Sequence, residues 1–122
     1  MISEHQARVF VHEWIAAWNS HDIERILCHY SDDFRMTSPF IVKLGSAPGG
    51  TLVGKAAVAR YWSAALLKMP TLHFRLLGVF SSTNSICIHY ESVLGLKAVE
   101  WFRIDCEHKV TEAIAHYDNT PA

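Results

Sequence analysis

One acidic residue is set apart by its neighbours. Over 96–104, strand alternation places Leu96, Ala98, Glu100, Phe102 and Ile104 on one face. Lys97, Val99, Trp101 and Arg103 fall on the other. A carboxylate on an otherwise apolar face is costly to keep charged and unpaired. It responds with a raised pKa, and raised carboxyl pKa values concentrate at working sites. Glu100 is therefore the candidate acid or hydrogen-bond donor toward a small molecule. The competing reading sends Glu100 to a rim, or pairs it with a cation from a second subunit.

The eight histidines suggest a metal or a base, but their spacing supports neither. There is no H-E-x-x-H motif and no His pair at i, i+4. His89 is out of phase with Ile86, Ile88 and Tyr90, and His116 with Ala113, Ala115 and Tyr117. If those apolar sets face a pocket, both histidines point away from it. The sequence predicts no metal site and no cofactor: it holds no P-loop, no G-x-G-x-x-G and no serine elbow. Cys28 and Cys87 read as small buried hydrophobes, and Cys106 falls in a turn.

The elements that must position these residues fall in a clear order. Ser3 and Gln6 form a capping box, and Ala7, Phe10, Val11, Trp14, Ala17 and Trp18 recur at helical spacing. Asp22 caps a second helix with Ile23, Ile26, Leu27 and Tyr30 inside, ended by Ser31-Asp32-Asp33. Residues 34–40 read as a short extended piece, and 44–54, with four of the six glycines, as a loop or loose hairpin. A third helix opens at Gly54-Lys55 and stops at Pro70. Periodicity then changes to two. Strands are predicted over 72–80, 85–93, 96–104 and 110–118, with links short enough for an antiparallel meander. Helices at 3–19, 22–30 and 55–68 followed by strands give an α+β order.

Composition bounds the rest. The 122 residues, half of them hydrophobic, suit one domain over 1–122. Eleven Lys plus Arg against twelve Asp plus Glu, with the cations scattered, argue against a nucleic-acid partner. No apolar run is long enough to span a membrane. The opening Met1-Ile2-Ser3-Glu4-His5 lacks the order of an export signal, and three cysteines do not close a disulfide framework. The expected location is a reducing cytoplasm.

Four pieces, spread over residues 5 to 118, resemble the SnoaL-like domains of the nuclear transport factor 2-like superfamily. They are Trp14-Ile15-Ala16-Ala17-Trp18-Asn19-Ser20-His21-Asp22, the corner Tyr30-Ser31-Asp32-Asp33-Phe34, Gly54-Lys55-Ala56-Ala57-Val58 with Tyr61-Trp62, and the closing strand from Lys109-Val110. The resemblance implies three N-terminal helices on a strongly curved, mostly antiparallel sheet, forming a cone with an internal apolar pocket. It also implies a homodimer. The superfamily holds ketosteroid isomerases, dehydratases, epoxide hydrolases, polyketide cyclases and non-catalytic binding modules, so fold does not settle function.

The isomerase pattern is only partly present. Its general base position, just before the proline after the two-acid corner, holds Ser38, and a serine without a partner does not abstract a carbon-bound proton. Its oxyanion tyrosine position holds Trp14. Its second oxyanion donor, a protonated aspartic acid in that enzyme, is matched by Glu100. The epoxide hydrolase pattern needs an arginine that 85–93 lacks.

These residues predict a ligand site made by Trp14, Trp18, Ser38, Phe40 and Trp62 from the first half of the chain. Ile88, Tyr90, Phe102, Ala113, Ala115 and Tyr117 complete it from the strands, with Glu100 as the catalytic candidate. Ala113 and Ala115 leave room where a tight core wants bulk. The expected role is binding of a small apolar molecule without the isomerase's base. The alternative is a cofactor-free isomerase, dehydratase or cyclase acting on an apolar or polyketide-like substrate through Glu100. The outward strand faces carry Val99, Trp101 and Ile114 beside His89, Glu91 and His116, a surface suited to a second copy.

Overall fold

The computed structural model describes residues 1–121; Ala122, the last residue of the predicted domain, lies outside them. Helix α1 runs Glu4–Ser20. The Ser3 hydroxyl accepts from the Gln6 amide and the Gln6 side chain accepts from the Ser3 amide, so the capping box forms as its sequence dictates. His21 ends the helix in a left-handed conformation (φ 60°). Asp22 then caps α2, Ile23–Leu27, with its carboxylate on the Glu24 and Arg25 amides. After α2 come β1 (Tyr30–Thr37), α3 (Pro39–Lys43), β2 (Thr51–Val53) and α4 (Lys55–Lys68). The strands β3 (Arg75–Ser81), β4 (Ser85–Glu91), β5 (Lys97–Ile104) and β6 (Val110–Tyr117) follow, with a 3₁₀ turn at Val93–Gly95.

The six strands form one sheet in the order β2-β1-β6-β5-β4-β3. Every pairing is antiparallel except β1 with β6, which is parallel. Register shifts interrupt β1–β6, β3–β4 and β5–β6, and such bulges increase the local twist that lets a sheet wrap its helices. The core lies between the helices and one sheet face. Val11, Trp14 and Ala17 of α1 and Val58 of α4 are buried, as are Ile86, Ile88 and Phe102 from the sheet.

Four predictions need correction, the first being that Cys28 is exposed and Cys87 half-buried where both were expected to be buried. Among the described residues there are four α-helices, not three: Ser38 and Pro39 start a one-turn helix where an extended piece was expected. The Ser38 hydroxyl accepts from the Phe40 amide, and proline suits the first helical turn. The second helix is shorter than predicted. Tyr30 begins β1 by pairing with Val110, while the polar 31–33 run forms the bulge before pairing resumes at Arg35. Finally, the first predicted strand, 72–80, starts later than expected: Leu72 and Phe74 precede β3. The Asn19 side chain holds the Phe74 backbone at both its amide (2.7 Å) and its carbonyl (2.9 Å), tying this segment to the end of α1. The His21 ring adds a contact to the Leu72 carbonyl at 2.8 Å.

Candidate functional site

A cavity of about 80 Å³ opens between the sheet and the ends of the helices. By the space a single water needs, it holds several waters or one small organic molecule. α1 contributes Trp14 and Trp18, and α4 contributes Tyr61, Trp62 and Ala65. Ser38, Phe40 and Leu44 come from α3 and its flanks. The sheet supplies Met36, Tyr90, Glu100, Ala115 and Tyr117, and the β4–β5 link supplies Ser92 and Val93. Met69, Leu72 and Phe74 close the side between α4 and β3.

Nine of the twelve residues predicted for the site thus line one cavity: Glu100, Trp14, Trp18, Ser38 and Phe40, with Trp62, Tyr90, Ala115 and Tyr117. Ile88, Phe102 and Ala113 do not. They face the same side of the sheet but are fully buried in the core. The reason is visible in the aromatic contacts. Phe10 and Trp14 of α1 pack edge-on against Phe102 at 5.3 and 5.5 Å, and Phe102 pairs across the sheet with Ala113. Alternation determines the face of a side chain, while helix coverage determines its depth.

Glu100 is 3% exposed. Register places Ile88 and Ala115 beside it on the flanking strands. The Tyr90 hydroxyl, one step diagonally across on β4, donates to Glu100 Oε1 at 3.0 Å. Among the described residues this is the only hydrogen bond to the carboxyl group, so Oε2 has no protein partner. No Lys, Arg or His lines the cavity. Burial pushes the Glu100 pKa up to about 7, and the Tyr90 hydrogen bond acts in the opposite direction. All four tyrosines of the chain respond to this acid. Burial raises the phenols of Tyr30, Tyr61, Tyr90 and Tyr117, and the Glu100 charge raises each further. That of Tyr61 reaches about 12.

The two other positions of the isomerase pattern are committed elsewhere. Trp14 Nε1 donates to the Tyr30 hydroxyl at 2.8 Å, within the core. The Ser38 hydroxyl caps α3. Trp18 Nε1 is buried without a partner among the described residues, a costly state for an indole N–H. His89 and His116 lie on the sheet face away from the cavity. Among the described residues no three His, Cys, Asp or Glu side chains are grouped to hold a metal. No helix there is long and apolar enough to cross a membrane.

Sequence reasoning missed nine of the lining residues: Met36, Leu44, Met69, Ser92 and Val93, and also Tyr61, Ala65, Leu72 and Phe74. Tyr61 and Ala65 share a helical face four residues apart, a signal that the sequence contains. Leu72 and Phe74 carried no such signal, because Asn19 and His21 position them through backbone contacts.

Residues 11–117 match the SnoaL-like domain family. A SnoaL-like protein of unknown function from Burkholderia thailandensis is 42% identical, covers 97% of this chain and 98% of its own, and superposes with a TM-score of 0.93. Two more distant structures share the fold at 16% identity. A protein of unknown function with a cystatin-like fold from Methylobium petroleophilum has a TM-score of 0.78 over 99% of this chain and 81% of that one. An NTF2-like protein of unknown function from Cytophaga hutchinsonii has a TM-score of 0.72 over 97% and 95%. No curated protein matches the chain.

Proposed function

The chain belongs to the SnoaL-like domain family, and we propose that it binds a small, mainly apolar molecule in the cavity between sheet and helices. The ligand's one polar group sits against Glu100. The observation that carries this reading is the Glu100 carboxyl itself: it lines the cavity at 3% exposure, is held at Oε1 by Tyr90, and has no second hydrogen bond among the described residues. A buried polar group left half-satisfied destabilises a fold unless something complements it. The walls offer aromatic and aliphatic surface to the rest of the ligand.

A second reading follows from the same group. With a pKa of about 7, Glu100 exists in both protonation states near neutrality, as a general acid–base catalyst requires. A cofactor-free isomerase, dehydratase or cyclase would use it as the one acid–base group, since the Trp14 N–H is held by Tyr30 and Ser38 offers only a hydroxyl donor.

We further propose a homodimer through the outer sheet face, no nucleic-acid partner and a cytoplasmic location, the last supported by three free cysteines, two of them exposed. Calorimetric titration with cyclopentanone, a small apolar ring with one polar atom, tests the binding reading. Saturable binding by wild type and its loss in Ala115→Leu, which fills the cavity from β6, are expected. Equal binding by both proteins, or none by wild type, would contradict it.

A further inference from the structure

The cavity combines two features that point to the charge of its ligand. The first is an anion without a counter-charge. The ion pairs of the described residues, Glu13–Arg25, Asp32–Lys55 and Arg75–Glu91, all lie outside the cavity. Tyr90 on β4 donates to Glu100, and the phenols of Tyr30 on β1, Tyr61 on α4 and Tyr117 on β6 feel its charge. A phenol is neutral when protonated and anionic when ionised, so none of them supplies a counter-charge to the carboxylate. The second feature is the wall. Eight of the eighteen lining residues are aromatic. Trp14 packs edge to face with Tyr90 at 5.3 Å and Trp18 with Trp62 at 4.9 Å, so the aromatic wall is a cluster of rings in mutual contact. Aromatic rings around a carboxylate are the chemistry that recognises an organic cation: the ring faces attract positive charge, and methyl groups fill the apolar space.

We propose that the ligand's polar group is a small alkylammonium, paired with the Glu100 carboxylate and enclosed by the aromatic side chains of α1, α4 and β4. This rests on the ligand-binding reading above and names the class of ligand. The cation supplies the counter-charge the protein lacks and makes the ionised form of Glu100 the bound form. Affinity therefore rises with pH as Glu100 ionises. A carboxyl titrating at about 7 is mostly protonated at pH 6 and mostly ionised at pH 8, an increase of roughly tenfold in the binding-competent form.

Calorimetric titration of the purified protein with tetramethylammonium chloride at constant ionic strength tests the inference, because this probe keeps its charge at every pH. Expected is saturable binding that tightens about tenfold from pH 6 to pH 8. Glu100→Gln is expected to lose it while keeping the wild-type circular dichroism spectrum. The pH series on wild type needs no variant and stands if Glu100→Gln fails to fold. Tetramethylammonium binding that is flat with pH, or unchanged in Glu100→Gln, would overturn the inference. Binding of cyclopentanone but not of tetramethylammonium at pH 8 would overturn it and leave the binding reading in place. Binding of neither probe would overturn both.

Discussion

Tyr90 and Glu100, on neighbouring strands and one step apart diagonally, share a buried hydrogen bond of 3.0 Å in which the phenol donates to the carboxyl. Tyr90 is 2% exposed and Glu100 3%, so bulk water is largely excluded from the pair and only the cavity reaches it. The bond favours the ionised acid, but desolvation outweighs it. Replacing Tyr90 with Phe keeps the ring and removes the donor. The Glu100 midpoint is expected to rise by about one pH unit, in line with a charge-assisted hydrogen bond of ~1.5–3 kcal/mol. Carboxyl titration of the variant by NMR checks this.

The Glu100 pKa also makes stability depend on pH. Its folded-state value of about 7 exceeds the unfolded value near 4.5, so the native protein binds more protons between these limits. Its contribution to stability is fully present below pH 4.5 and is lost as pH rises to about 7. The loss is roughly 3 kcal/mol, an order-of-magnitude figure. Glu100→Gln is expected to abolish this fall and to be more stable than wild type at pH 8. Urea denaturation of both proteins at pH 5 and pH 8 measures the difference.

Alternation revealed the face of Glu100, because one charged residue among Ala98, Phe102 and Ile104 breaks a regular pattern. The last three strands were legible on the same grounds. β1 was not, since the bulge after Tyr30 places three polar residues where alternation should continue. The depth of Ile88, Phe102 and Ala113 was hidden too. It depends on α1 crossing the sheet, a tertiary fact with no local signature.

The Trp14–Tyr30 hydrogen bond is structural. Tyr30→Phe leaves the Trp14 N–H buried and unpaired, at an expected cost of about 1–3 kcal/mol. Trp14→Phe also loses packing volume. A double-mutant cycle is expected to give a coupling of about 1 kcal/mol. Tyr30→Phe should leave cyclopentanone binding unchanged, since Tyr30 does not line the cavity.

On the outer sheet face, Cys87, Trp101 and Ile114 stand in register across β4, β5 and β6, beside His89, Val99 and His116. Val99 is 40% exposed. Sedimentation at micromolar concentration is expected to give twice the 13.8 kDa chain mass, and Trp101→Glu to give the monomer. A wild-type monomer across that range would contradict the dimer.

A single carboxyl group, buried at the cavity and uncompensated by any cation among the described residues, carries the proposed function. Direct titration of the Glu100 side-chain carbon by NMR, assigned against Glu100→Gln, tests this most closely. The predicted midpoint in the ligand-free protein is about 7. A midpoint at the ordinary glutamate value of about 4.3 would show a solvated or cation-paired acid and contradict the account.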